Sequence, residues 1–323
     1  MSSPSSPSSP SSLVPPTPSA ATDDAELDDG QPACVLVFNA NDPSGAGGLA
    51  GDVTAIASVG AHALTVLTGA YARDTAEIFG HYAMDEEAVS EQARAVLEDV
   101  PVQVIKVGFV GSPENLSAVA SMASDYAEVP VVAYMPSLSW WEDVQIDLYL
   151  DAFKELMLPQ TTVLVGNHST LWRWLLPDWS TERPPSARDI ARAAHEFGVP
   201  YTLVTGIALP DQFIDNVLAS PHEVVVSEKF ERFEAQFSGA GDTLSAALAA
   251  LLASGNDLSE SVSEALSYLD RCLGSGFRPG MGHVLPDRLF WAQEELDLDD
   301  AAEDGPDAPS LFNMEFSPYD TKH

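Results

Sequence analysis

Apolar runs of strand length alternate with segments of helical period along most of the chain. Cys34–Asn39, Ala63–Thr68, Val104–Val107, Val129–Tyr134, Thr162–Val165 and Tyr201–Val204 are continuous apolar runs that predict buried strands. Between them, the patterns of Gly48–Ser58, Glu86–Glu98, Pro113–Ala127, Leu148–Leu156 and Ala187–Phe197 predict helices. Strand and helix in strict alternation predict an α/β fold, with a mostly parallel central sheet and helices on both faces. Such sheets bind ligands beyond the carboxyl ends of their strands.

After Thr205 the rhythm changes. Phe213–Leu218, Glu223–Ser227 and Arg232–Glu234 read as short antiparallel strands, followed by helices over Asp242–Ala253 and Leu258–Leu273. Nothing marks a second domain between residues 31 and 293. Residues 1–30 are Ser/Pro repeats closing on an acidic run, and 294–323 form an acidic tail. The first segment buries too little apolar surface to offset ordering, so it is expected to be disordered.

Composition narrows the functional classes. Fourteen Lys and Arg stand against 49 Asp and Glu, a formal net charge of −35. That balance excludes nucleic acid, whose phosphates need cations to displace their counterions, and it disfavours anionic membranes. Two distant cysteines, Cys34 and Cys272, make neither a disulfide framework nor a metal cluster, and fit a reducing, cytoplasmic setting. No apolar run reaches membrane-spanning length, and no basic-then-apolar leader opens the chain. The seven histidines lack zinc-ligand spacing.

Two glycine motifs carry the candidate chemistry. Ser238-Gly239-Ala240-Gly241-Asp242-Thr243 precedes a strongly helix-forming run. The free N–H groups and dipole of a helix start hold an anion, and glycines let the backbone approach it. An aspartate there repels a phosphate as a ligand, but suits a base that receives a hydroxyl proton. Asp and Thr are also ordinary helix caps. The second motif, Asn41-Asp42-Pro43-Ser44-Gly45-Ala46-Gly47-Gly48, follows the first strand. It matches the dinucleotide fingerprint only formally, because Asn41 to Ser44 intervene before the first glycine. It reads better as a small-ligand loop, with Asp52 accepting hydrogen bonds from an amine or hydroxyl.

At these two motifs together the chain resembles the hydroxymethylpyrimidine/phosphomethylpyrimidine kinases of thiamine biosynthesis. The resemblance runs from Ala33 to Phe290, and rests also on Gly60-Ala61, Lys106-Val107-Gly108, Leu158-Pro159 and the ending Pro279-Gly280-Met281-Gly282-His283. It implies a ribokinase-like three-layer α/β/α fold, with ATP and magnesium as cofactors and a small pyrimidine alcohol as substrate. It implies ATP phosphates near Gly239, Ala240 and Gly241, with Thr205 where such kinases place a phosphate-contacting lysine. Asp242 takes the base position, and Ala40, Asp52, Arg73 and Phe109 fall at the ring pocket. Relatives often dimerise through the sheet face, so a homodimer is implied as well.

The chain departs from the family's pattern at three positions. Arg73 replaces a glutamine, Tyr134 a strand-end aspartate, and Thr170 the acid of an Asn-x-x-Glu motif. Magnesium prefers carboxylate and phosphate oxygens, so the last two losses predict weakened metal support. A pyridoxal-type kinase and a non-catalytic ligand-binding descendant are the alternatives that these departures keep open; a nicotinamide oxidoreductase is a distant third.

Overall fold

Cys34–Asn41 form strand β1, and successive side chains leave it in opposite directions. Val35 and Val37 enter one buried layer, Leu36 and Phe38 the other. That division holds through the molecule, which the computed structural model describes over residues 31–292. The Ser/Pro-rich segment and the acidic tail lie outside the described residues.

The other strands are β2 (His62–Arg73), β3 (Ile78–Ala83), β4 (Val104–Val107), β5 (Val131–Met135), β6 (Val163–Asn167), β7 (Tyr201–Ala208), β8 (Phe213–Ala219) and β9 (Val224–Glu231). They form one sheet in the order β3-β2-β1-β4-β5-β6-β7-β8-β9. Strands β2, β1, β4, β5, β6 and β7 are mutually parallel, while β3, β8 and β9 each run antiparallel to a neighbour. Helices α1 (Gly48–Ser58), α7 (Ala240–Ala253) and α8 (Leu258–Gly274) cover one face. Helices α2 (Glu86–Leu97), α3 (Pro113–Asp125), α4 (Asp143–Ala152), α5 (His168–Leu175) and α6 (Ala187–His195) cover the other. This is the expected three-layer α/β/α arrangement. No helix among the described residues is long and apolar enough to cross a membrane.

Three local differences from the sequence expectation have physical causes. β2 runs on from the expected end at Thr68 to Arg73 because β3 pairs with its second half, from Gly69↔Ala83 to Arg73↔Ile78. The turn between them is held by Asp74, whose Oδ1 accepts the N–H groups of Ala76 and Glu77 at 2.7 and 2.8 Å. The expected strand at Arg232–Glu234 does not form, because Glu231 already pairs with Phe213, where β8 begins. Finally, α5 starts at His168 with Asn167 as its cap, the Asn167 side chain accepting the Ser169 N–H at 3.0 Å.

β3 also carries His81, packed against the rings of Tyr71 and Phe109 at centroid distances of 5.4 and 4.9 Å. Its Nε2 is buried without a hydrogen-bond partner among the described residues, and burial pushes the imidazole down to about 4. An unfolded histidine titrates near ~6.5. Between those values the unfolded chain binds more protons than the folded one, so stability is lost as pH falls through that window. The melting temperature of His81→Phe is therefore expected to fall less than that of the wild type between pH 7.5 and pH 5. Equal falls would remove His81 as a cause.

Candidate active site

The carboxyl end of β1 runs into a loop that Asp42 organises. Asp42 Oδ1 accepts the Ser44 N–H at 2.9 Å and the Ser44 hydroxyl at 2.6 Å. Its Oδ2 accepts the Gly47 N–H at 3.0 Å and pairs with Arg73 Nη1 at 3.1 Å. The loop lies directly on the start of α7. Gly239, the residue before that helix, has φ +87°, and a Cβ there would overlap the Ala46 carbonyl. Only glycine meets both conditions. Behind the contact sits Arg288, 6% exposed, donating from Nε to Thr243 Oγ1 at 2.9 Å and from its two terminal nitrogens to the carbonyls of Gly45 and Ala46.

Beneath the loop, four polar side chains meet between the sheet and helices α1 and α7. Lys106, Asp52 and Asn39 are at most 1% exposed. Lys106 Nζ lies 2.7 and 2.8 Å from the two Asp52 oxygens and 3.3 Å from Asp242 Oδ1. Asn39 Nδ2 donates to Asp52 Oδ2 at 2.8 Å and to Asp242 Oδ1 at 2.9 Å. Asn39 is itself oriented by the N–H groups of Ala40 and Phe109, which donate to its Oδ1 at 2.9 and 3.1 Å. Burial pushes the Asp52 carboxyl up to about 6 against the lowering field of Lys106. Asp242 thus has one oxygen held by two donors, while its Oδ2 faces Gly47.

Asp242 opens on a cleft of about 520 Å³. Asp42, Tyr71, Arg73, Tyr134 and Trp140 line it, with Gly239 at its end. Tyr71 stacks on buried Phe109 at 5.7 Å and 19°, and Trp140 meets Tyr71 edge-on at 5.7 Å. A second, smaller hollow of about 160 Å³ is lined by Asn167, Thr205, Gly206, Ala240 and apolar residues of α8. The first turn of α7 therefore stands between the two hollows. Its earliest helical bond is Thr243 N–H to Gly239 O at 3.0 Å, which leaves the N–H groups of Ala240, Gly241 and Asp242 without helical acceptors.

The structure thus brings Arg73, Gly239 and Asp242 together in the cleft, and puts Ala240 and Thr205 in the second hollow. Ala40, Asp52 and Phe109 are at most 1% exposed and lie beneath the cleft, not among the residues of its wall. They form the support under the cleft, because Tyr71 covers Phe109 and Lys106 engages Asp52. Tyr134 packs its phenol against Gly241, and Thr170 faces a separate hollow with Arg173 and Trp174.

Four further residues bear on the site without having been assigned a role from sequence. Lys106 had a signal, since a lysine between Val104, Ile105 and Val107 must find a buried partner. Asn39 had a weaker one, as an amide ending an apolar run. Tyr71 and Arg288 had none, since their roles depend on the length of β2 and on contacts across the whole chain. The donors present do not fit a magnesium ion held by protein carboxylates. Asp42 is committed to Arg73 and Asp52 to Lys106, and among the described residues no group of three or more His, Cys, Asp or Glu suits a metal.

Comparison with known proteins places the chain in a family. A family model described as phosphomethylpyrimidine kinase matches residues 42–287. The hydroxymethylpyrimidine/phosphomethylpyrimidine kinase of Mycobacterium leprae is 26% identical over 270 residues, covering 80% of this chain and 95% of that protein. The enzyme of the same name from Streptomyces coelicolor is 27% identical over 266 residues, covering 82% and 97%. Among solved structures, an ADP complex of Bacillus subtilis pyridoxal kinase superposes with a TM-score of 0.72 at 19% identity, covering 81% of this chain and 99% of that one. The chain belongs to the phosphomethylpyrimidine kinase family.

Proposed function

We propose that the protein transfers the terminal phosphoryl group of ATP to the hydroxymethyl group of 4-amino-5-hydroxymethyl-2-methylpyrimidine, and then phosphorylates that monophosphate. The observation that carries this reading is the first turn of α7, set between an aromatic-walled cleft and a smaller apolar hollow, with Asp242 on the cleft side. The ring lies in the cleft against Tyr71 and Trp140, with Arg73 beside it. ATP extends from the second hollow, past Thr205, to the free N–H groups of Ala240 and Gly241. Asp242 Oδ2 takes the hydroxyl proton as the new P–O bond forms, and the helix start steadies the charge on the moving group. Magnesium accompanies the nucleotide, and contributes charge neutralisation among its phosphates when bound.

The relatives' names support the pyrimidine, and the likeness to pyridoxal kinase supplies the competing ring. ADP release with hydroxymethylpyrimidine, its monophosphate, pyridoxal or no acceptor tests the reading. Turnover of the pyrimidine at least tenfold faster than of pyridoxal is expected. Ring binding without ADP release would replace the reading with a binding-only one. A cytoplasmic homodimer completes the proposal. Cys34 and Cys272 are free thiols, and Phe79 and Tyr82 on edge strand β3 are 67% and 73% exposed, apolar surface that suits a second copy. Sedimentation at the mass of one chain would remove the dimer.

A further inference from the structure

Tyr134 projects from β5 toward the layer that holds α7. Its hydroxyl and adjoining ring carbons occupy the space that any Cβ on Gly241 would need. The phenol therefore lies flat against the helix start, and also lines the cleft beside Asp242 and Gly239. The Tyr134 hydroxyl makes no hydrogen bond to any described residue. Among the described residues nothing caps α7 either, since Gly239 has no side chain and no side chain accepts from its first N–H groups. Backbone donors without helical acceptors and a phenolic donor thus lie together at the start of α7, beside the cleft.

A phenol in such a place usually finds a partner. The partner this geometry suits is an anion. Burial, with the neighbouring charges of Asp242 and Asp52 added, pushes the Tyr134 phenol well above its ordinary value, so the group stays a donor across the whole working pH range. The backbone N–H groups beside it are donors too, so an oxygen with several lone pairs satisfies both.

We propose that Tyr134 is a catalytic residue, whose hydroxyl donates a hydrogen bond to an oxygen of the phosphoryl group in transfer. This rests on the kinase reading above. In the step, the acceptor oxygen–phosphorus bond forms and the phosphorus–oxygen bond to ADP breaks. The acceptor's proton goes to Asp242 Oδ2, and Tyr134 keeps its own proton throughout. The donor adds to the free N–H groups of α7 in stabilising the charge on the moving group.

Tyr134→Phe keeps the ring against Gly241 and removes only the hydroxyl. It is expected to lower kcat by about tenfold or more, the size of one donor to an anion, and to leave KM for the pyrimidine within about twofold. The second measurement is calorimetric titration with orthovanadate, a phosphoryl mimic, in the presence of ADP, on the wild type and on Tyr134→Phe. The wild type is expected to bind vanadate about tenfold more tightly than the variant. Equal affinities, or no vanadate binding by either chain, overturn the proposal whatever the turnover shows. A wild type that binds vanadate through Tyr134 but releases no ADP sinks the kinase reading alone, so the two failures are distinguishable.

Discussion

Asp242→Asn is expected to lower kcat by about 10²- to 10⁴-fold, the range that loss of a positioned base produces. The substitution is close to isosteric. The amide oxygen of the new residue can still accept from Asn39 Nδ2 and Lys106 Nζ, which now lie 2.9 and 3.3 Å from Asp242 Oδ1. The amide nitrogen then occupies the other position, facing Gly47 and the cleft, where it can donate but not accept. The hydroxyl proton loses its destination while the loop, the helix start and the ring cleft keep their shape. KM for the pyrimidine is expected to stay within about threefold, because binding that is equal in ground and transition states is untouched. Circular dichroism melting checks that the fold is intact, and single-turnover ADP formation reads the chemical step. A variant within threefold of the wild-type rate would show that the proton leaves by another route.

Much of this was legible from local patterns. β4 runs from Val104 to Val107, the bounds of its apolar run, and α1 keeps the expected Gly48–Ser58. Both rest on short-range signals: a continuous buried run and a glycine-led helical period. β3 was not legible, because Ile78–Ala83 contains Gly80 and His81, and is a strand only where β2 offers it an edge. The same dependence hid Tyr71. It reaches the cleft only because β2 continues past Thr68, and that continuation is paired with β3.

The site divides in the same way. Gly239 and Asp242 could be read from sequence because a glycine turn before a helix is a local anion-site pattern. Arg288 could not, since the carbonyls it binds belong to Gly45 and Ala46, 243 and 242 residues earlier. The burial of Asp52 and Phe109 beneath the cleft, which their sequence positions did not show, has a related origin. Position along the chain brings them to the region below the cleft, but depth is a tertiary property. Tyr71 and Lys106 each insert a side chain between them and the cleft or its charge.

The largest effect on stability is expected at Lys106. Its side chain is wholly buried between β1 and β5, and its ammonium is the cation nearest to both Asp52 and Asp242. Lys106→Met fits the volume but leaves Asp52, 0% exposed, with only the Asn39 amide. An unpaired buried charge of this kind costs about 3–5 kcal/mol, a large part of the roughly 5–15 kcal/mol that holds a domain folded. Urea titration should show that loss at pH 7.5. The pH dependence identifies its cause. Without the lowering field of Lys106, the folded-state pKa of Asp52 rises beyond about 6, further above its unfolded value. The folded variant then binds more protons than its unfolded chain near neutrality, so its stability should increase as pH is lowered from 8 toward 5. Lys106→Met combined with Asp52→Leu removes both charges, and should recover most of the stability, since well-packed apolar residues replace a buried pair at little cost. It should not recover turnover, because Asp242 Oδ1 keeps Asn39 alone and loses the cation 3.3 Å away. A double variant that is both stable and active would mean that Lys106 serves only to neutralise Asp52; one that is stable and inactive separates the support of the sheet from the aim of the base.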